Sequence, residues 1–380
     1  MLYTANTAKH VHFSTSANLH LRPKAFTNIW RPNYMKRLLN TLYVTTEDAY
    51  LSKDGTNAVV SVKGQERFRI PIQNVESICT FGYHGVSPSL MKLCAEQGVA
   101  LNFFNANGSF IARIQGPVNG NVLLRTKQYT IAKDADTTLK YATRFISAKI
   151  FNSRVALRRF VRDHSQSPGV DVVSNCAEVL RAKVNATKSA KSLDELRGIE
   201  GDAAALYFKA MPYLLINKTK YFVFEGRNRR PPRDAVNAML SFGYTLLAND
   251  CASALEGVGL DPAVGFLHAL RPGRQSLALD LMEEFRSYLV DRLVISLINN
   301  RQIRLSDFIV HSSNGDFPVM MNDDGRKKFL TAWQNRKKDE ITHPFLDEKT
   351  CLGMLPHIQA MLLARHMRGD LDDYPPFLVK

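Results

Sequence analysis

Residues 41–70 read TLYVTTEDAYLSKDGTNAVVSVKGQERFRI, and this stretch decides the first part of the fold. β-Branched and aromatic residues come in short runs, Thr41 to Thr45, Ala49 to Ser52, Ala58 to Val62 and Phe68 to Ile72, separated by turn residues such as Asp54-Gly55. Runs of this length and composition predict strands rather than helices. Moving outward, Val75 to Phe81 continues the pattern, and Ser87 to Gln97 has helical spacing behind a Ser-Pro-Ser start. Val99 to Phe104 then leads through Asn107-Gly108 into Phe110 to Ile114, a hairpin signal, and Gly116-Pro117 closes the segment.

Beyond the loop at Gly116 to Gly120 the apolar spacing becomes helical. Helices are expected over Val122 to Lys133, Thr137 to Asp163, Ala177 to Ala190, Leu193 to Met211, Asp234 to Ala254 and Leu277 to Asn299. A short β-like insert at Phe308 to Met321 and helices over Gly325 to Lys338 and Leu346 to Arg368 complete the chain. The fold class is therefore α+β, with a leader at 1–34, a small N-terminal β-rich domain at 35–120 and a mainly α-helical domain at 121–380. The leader contains Lys9, Arg22, Lys24 and Arg31 and no acidic residue, a composition resembling a transit peptide. Met35 begins Met-Lys-Arg-Leu-Leu-Asn, a second credible start, so residues 1–34 read as a disordered extension or an upstream-start artefact.

The 380 residues are 45% hydrophobic, enough for a large core, and carry 50 Lys and Arg against 35 Asp and Glu, a net charge of +15. Such an excess favours polyanion partners, nucleic acid ahead of an anionic membrane surface. The apolar stretch Tyr288 to Ile298 is interrupted by Asp291 and Arg292 and is too short to span a bilayer. Five cysteines, at 79, 94, 176, 251 and 351, lie too far apart for zinc or redox spacing and read as buried apolar residues in a reducing compartment. No P-loop, complete dinucleotide fingerprint, zinc-protease helix or nucleophile elbow is present, which removes ATP-driven and acyl-transfer classes.

Against this basic background four places carry chemistry. Glu200 sits between glycines in Arg197-Gly198-Ile199-Glu200-Gly201, a costly pattern for a helix that lets a metal, a phosphate or a neighbouring helix come close. His268 follows an apolar run and precedes the turn-forming Arg271-Pro272-Gly273; alone, it reads more readily as a hydrogen-bonded core residue. Asp280 and Glu283 lie one helical turn apart and repel unless a cation or an arginine intervenes, the plainer alternative being a solvated acidic face screened by Arg286. Carboxylates would repel a phosphodiester, so in a DNA-handling protein these side chains require a divalent cation between. The fourth place, Lys218 to Arg233, interleaves cations with aromatics; Arg227, Arg229, Arg230 and Arg233 are expected to hold a nucleic-acid backbone, with a solvated turn as the alternative. Lys149, Arg154, Arg158 and Arg162 form a second basic stripe, and Arg326-Lys327-Lys328 with Arg336-Lys337-Lys338 a third.

Arg197-Gly198-Ile199-Glu200-Gly201, Asn228-Arg229-Arg230-Pro231-Pro232 with Asn237 to Tyr244, Gly259 to His268 and Ser276 to Glu283 together resemble the CRISPR-associated integrase family, the larger of the two universal spacer-acquisition proteins. The resemblance runs from about Met35 to the C-terminus, and its texture leans toward the type I-C branch. It implies a helical catalytic domain, a homodimer in the prokaryotic cytoplasm, a small ferredoxin-like partner protein, and insertion of DNA fragments into a repeat array. Carried over, Glu200, His268 and Asp280 would be catalytic metal ligands, with Glu283 in support. The cation would be Mn²⁺ or Mg²⁺, an imidazole among carboxylates tilting preference toward Mn²⁺. Tyr244 would line the site and touch nucleic acid, or pack beneath it. A non-catalytic DNA-binding scaffold and a metal-free glycosidase are the rival readings.

Overall fold

The 41–70 stretch folds as its pattern dictates. In the computed structural model, which describes residues 41–75, 77–82, 84–105, 110–114, 122–217, 222–228, 231–310 and 318–379, strands β1 (Thr41–Val44), β2 (Ala49–Asp54), β3 (Asn57–Val62) and β4 (Gln65–Pro71) are followed by β5 (Ser77–Phe81), β6 (Gly85–Val86), helix α1 (Pro88–Gln97), β7 (Ala100–Phe104) and β8 (Phe110–Ile114). The leader, the Asn107-Gly108 turn and the loop at 116–120 lie outside the described residues.

Two four-stranded sheets result, in the orders β4-β3-β2-β6 and β1-β5-β7-β8. β5 pairs in parallel with both β1 and β7. Every residue of β5 is buried, because each of its faces meets a different core. Ile78 joins Leu51, Val60, Leu90 and Leu101 between the sheets and α1. Cys79 and Phe81 instead face the helices. Phe81 stacks on Phe104 at 4.9 Å between ring centroids and meets Phe242 at 6.0 Å. Arg113 of β8 forms a partly buried ion pair with Glu256, a second tie from sheet to helices.

The helical region comprises α2 (Val122–Lys133), α3 (Ala135–Asp163), α4 (Val170–Thr187), α5 (Leu193–Leu214), α6 (Ala235–Gly257), α7 (Ser276–Met282), α8 (Arg292–Asn299), α9 (Asp323–Lys338) and α10 (Leu355–Arg368). Capping follows from side chains: Asp134, Ser192 and Asp234 accept the backbone amides of Thr137, Glu195 and Asn237. α6 is buried on nearly all sides, as its almost continuous apolar composition requires.

Two expected helices differ. The one expected over Leu277 to Asn299 is broken into α7, a π-helical turn at Arg286–Asp291 and α8. The expected helix over Leu346 to Arg368 begins only at Leu355; before it, β11 (Glu340–Thr342) pairs with β12 (Lys349–Cys351). Asp347 adopts a positive φ of 55°, and the amide of His343 bonds the Glu348 carbonyl, closing a turn that a helix cannot include. The insert near 308 forms the expected β pair, β9 (Phe308–Val310) with β10 (Val319–Met321). Among the described residues no helix is long and apolar enough to cross a membrane. All five cysteines are free; burial pushes the Cys79 thiol to about 12.

Candidate active site

Four elements supply the site: the middle of α3, the first half of α5, the irregular loop between α6 and α7, and the turn that follows α7. The loop is held from below. Gln128 of α2 is fully buried, donates to the carbonyls of Asp261 and Val264 at 2.8 Å, and accepts the Asp261 amide at 2.9 Å. Arg197, one turn before Glu200 on α5, donates to the Leu267 carbonyl at 2.8 Å, so the elements bearing Glu200 and His268 are joined directly.

Asp280 is the hub of the loop. Its Oδ2 accepts the amides of Phe266 at 2.6 Å and Leu267 at 3.0 Å; its Oδ1 accepts the His268 amide at 3.0 Å and meets His268 Nδ1 at 2.6 Å. The chain can wrap this closely because residue 265 is glycine: a Cβ there would lie 2.6 Å from the backbone of Ser276 and 2.7 Å from Asp280 Oδ2. With Nδ1 committed to Asp280, the partly buried imidazole keeps Nε2 as its second ring nitrogen, and a histidine held by a carboxylate in this way is the common arrangement of a metal-ligating histidine. Asp280 itself has no exposed surface, and both oxygens are engaged by its own chain. In this position Asp280 orients His268.

Glu283, expected in support, stands nearer the centre. It is 4% exposed, both its oxygens meet Arg286 Nη1 at 2.9 and 3.0 Å, and Oε2 lies 2.8 Å from Lys149 Nζ. Burial alone would raise its pKa, but Arg286, Lys149 and His268 outweigh burial and hold it at about 2. Lys149 forms a second ion pair with Glu200, so one ammonium bridges carboxylates from α5 and from the turn after α7. Lys149 thus joins Glu200 to Glu283, and His268 is near enough to influence Glu283, while among the described residues no three His, Cys, Asp or Glu side chains are grouped so that they could hold a metal ion as they stand. A Cβ on Gly198 or Gly201 would meet no atom within 4 Å, so no neighbouring helix packs against α5 at these two positions. An open cleft of about 760 Å³ continues along α5 past Ala204, Phe208 and Lys209 to Phe224 and Arg227.

Tyr244 lies beneath this centre. It is buried, its hydroxyl donates to Asp291 at 2.5 Å, and the Arg286 guanidinium lies 4.2 Å from its ring centroid. Of the two expected roles, packing fits this position and nucleic-acid contact does not. Arg227 bonds Asn237 Oδ1 at 2.6 Å and Ser241 Oγ at 3.1 Å, securing its loop on α6. Arg233 is exposed. Arg229, Arg230 and residues 218–221 lie outside the described residues.

Sequence reasoning misses one partner: it places Lys149 in a basic stripe with Arg154, Arg158 and Arg162, whereas the structure turns Lys149 toward Glu200 and Glu283. The expected partnership of Arg286 with the acidic pair is present, but buried at 6% exposure rather than on a solvated face, and its spacing of three residues from Glu283 is the signal for it.

A β-rich unit leading into a helical region, with carboxylates and an imidazole gathered under a basic surface, defines a class of polyanion-handling protein. Comparisons with known proteins narrow it. The family model described as "CRISPR associated protein Cas1" matches residues 42–335. A "CRISPR-associated endonuclease Cas1 1" of Chlorobaculum tepidum is 48% identical over 344 residues, covering 90% of this chain and 99% of the relative. A "CRISPR-associated endonuclease Cas1 2" of Rhodospirillum rubrum is 50% identical over 353 residues, 91% of this chain and 100% of the relative. The fold is shared with a CAS1 protein from Thermotoga maritima, at 23% identity and a TM-score of 0.73 over 90% of this chain and all of that one. It is also shared with a casposase bound to integration product, at 23% identity and a TM-score of 0.76 over 90% of this chain and 93% of that one. The chain belongs to the Cas1 family of CRISPR-associated proteins.

Proposed function

We propose that this protein is a divalent-metal-dependent DNA endonuclease and integrase that inserts spacer fragments into a CRISPR repeat array. The observation that carries the reading is the pairing of Glu200 and Glu283 on a single positive charge, the Lys149 ammonium, with His268 near enough to help lower the Glu283 pKa. The donor set fits Mn²⁺ or Mg²⁺: hard oxygens with one imidazole, on a scaffold that already holds a cation between two of its members. Glu200, His268 and Glu283 would hold the metal. Asp280 would fix the imidazole, and Arg286 would fix Glu283. When bound, the metal polarises a phosphodiester and offsets charge on the phosphorus oxygens. Phosphoryl transfer then needs a DNA 3′-hydroxyl or water in line with the leaving oxygen, forming one O–P bond as another breaks. The cleft along α5 toward Arg227 would supply an approach for the DNA backbone.

The relatives named as endonucleases support this activity, and the +15 charge supports a polyanion substrate. The same reading makes the protein a homodimer that works in the prokaryotic cytoplasm with a small ferredoxin-like adaptation protein. A neighbour in fold described as a Cas6-RT-Cas1–Cas2 complex, at 20% identity, is an assembly of that general kind. Purified protein is expected to nick and join DNA with Mn²⁺ or Mg²⁺, and Glu200→Ala or His268→Ala to abolish this while duplex binding persists. Full activity in chelator would remove the metal mechanism, and full activity in both variants would remove the site; a DNA-binding scaffold would bind with no turnover at all.

A further inference from the structure

Lys149 stands out because the acidic centre holds two cations of different character. Arg286 reaches Glu283 from three residues away on the same stretch of chain. Its guanidinium is fixed over the Tyr244 ring at 4.2 Å and is itself buried. Lys149 arrives from another element, the middle of α3, on a flexible four-carbon stem with a single terminal charge. Its Nζ is paired with Glu200 and lies 2.8 Å from Glu283 Oε2, and its side chain is only 12% exposed. Two carboxylates brought together in a mostly buried place are unfavourable without a cation, so the ammonium keeps the pair assembled. Once a dication is held by the same oxygens, however, an ammonium a few ångströms away becomes a like-charge neighbour. One of the two must leave, and only Lys149 has freedom to do so.

We infer that Lys149 is the resident counter-ion of the Glu200–Glu283 pair, displaced when a divalent cation binds, and that this one side chain therefore sets the metal affinity of the site. The inference rests on the assignment of Glu200, His268 and Glu283 as the metal-holding set. Lys149 is on this account a positioning residue: it holds the carboxylates in place for a metal that then takes over from it.

The test uses the full chain without DNA and reads metal binding rather than turnover. Lys149→Met is expected to bind Mn²⁺ more tightly by roughly tenfold in a paramagnetic-resonance titration, within the range by which neighbouring groups tune metal affinity. Its melting temperature should fall in chelator and recover when Mn²⁺ saturates, whereas Lys149→Arg, which keeps the charge, should stay close to the parent in both. Independently of any variant, acetylation of Lys149 in the parent protein, followed by mass spectrometry, should increase when Mn²⁺ is added, because the displaced amine becomes reactive. That arm decides the matter if Lys149→Met fails to fold. Weaker or unchanged Mn²⁺ binding in Lys149→Met, or Lys149 acetylation indifferent to Mn²⁺, overturns the inference. Failure of the underlying assignment looks different: Glu200→Gln and Glu283→Gln would then bind Mn²⁺ as the parent does.

Discussion

Glu283 and Glu284 are adjacent in sequence and almost equally buried, at 4% and 0% exposure, yet their environments push them in opposite directions. Glu283 faces the cations Arg286 and Lys149, which overcome burial and hold it at about 2. Glu284 faces the interior, where burial raises it to about 8 although the Tyr374 hydroxyl at 2.6 Å, the Phe377 amide at 2.8 Å and Gln359 Nε2 at 3.0 Å all donate to it. Neutral donors recover only part of the hydration that a carboxylate loses on burial; whole charges recover more. One glutamate is thereby kept ionised, as the proposed metal site requires. The other anchors the segment at 374–379, which Asn152 of α3 also grips, donating to the carbonyls of Glu284 and Phe377 at 2.8 Å.

The sharpest way to break this contrast is to neutralise each residue in turn. Glu283→Gln should lower metal-dependent DNA cleavage by about 100-fold or more, since it removes a proposed ligand. Glu284→Gln should leave the site charge unchanged and alter stability instead. Because the folded pKa of Glu283 is depressed, its stabilisation is present above the ordinary carboxylate range and is lost as pH falls toward 2. Glu284 runs the other way: its stabilisation is complete below about 4.5 and is lost as pH rises through about 8. Thermal melts in chelator from pH 5 to 9 should therefore show the parent losing stability with rising pH and Glu284→Gln losing less. Parallel curves for the two proteins would mean that Glu284 is ionised throughout.

Asp280 extends the comparison to a third carboxylate, one that touches neither Lys149 nor Arg286 and instead accepts four bonds from the loop it organises. Asp280→Asn replaces one acceptor with an NH₂ facing amide donors. The expected result is a fall of roughly 10 to 100-fold in Mn²⁺ affinity, through a misdirected His268, with duplex binding retained. A variant that binds Mn²⁺ normally would return Asp280 to a purely structural role.

The division between β and α regions was legible because period-2 runs and turn dipeptides before residue 116 contrast plainly with helical spacing after it. The break in the helix at 286–291 was not: Leu277 to Asn299 keeps an unbroken helical pattern, and only tertiary contacts of Arg286 and Asp291 around Tyr244 reveal the π-helical turn. The same limit applies to the site. Residue type and spacing marked Glu200, Asp280 and Glu283 as candidates and the family resemblance joined His268 to them, but the roles of Asp280 and Glu283 depend on which backbone amides and cations each one meets. Those partners come from 12 to 14 residues away for Asp280, and from α3 for Glu283. Spacing alone carries no record of them.

Glycines provide the smallest and finest test. Gly265 and Gly198 both flank proposed ligand elements, but the first is enclosed by Ser276 and Asp280 while the second opens on empty space. Gly265→Ala should overpack the loop, at a cost of about 1 to 3 kcal/mol, and loosen His268 with it. Gly198→Ala has no such obstacle and lies inside a helix, so it should stabilise the fold by about 0.5 to 1 kcal/mol. Chemical denaturation measures that gain. If the DNA backbone runs along this open face of α5 on its way to the site, the stabilised variant should nevertheless cleave DNA more slowly, with unchanged Mn²⁺ affinity, because a methyl group then stands in the path of the phosphate. A more stable protein with undiminished cleavage would show that the substrate reaches Glu200 from another side, and would move the approach to the cleft at Phe208 and Arg227.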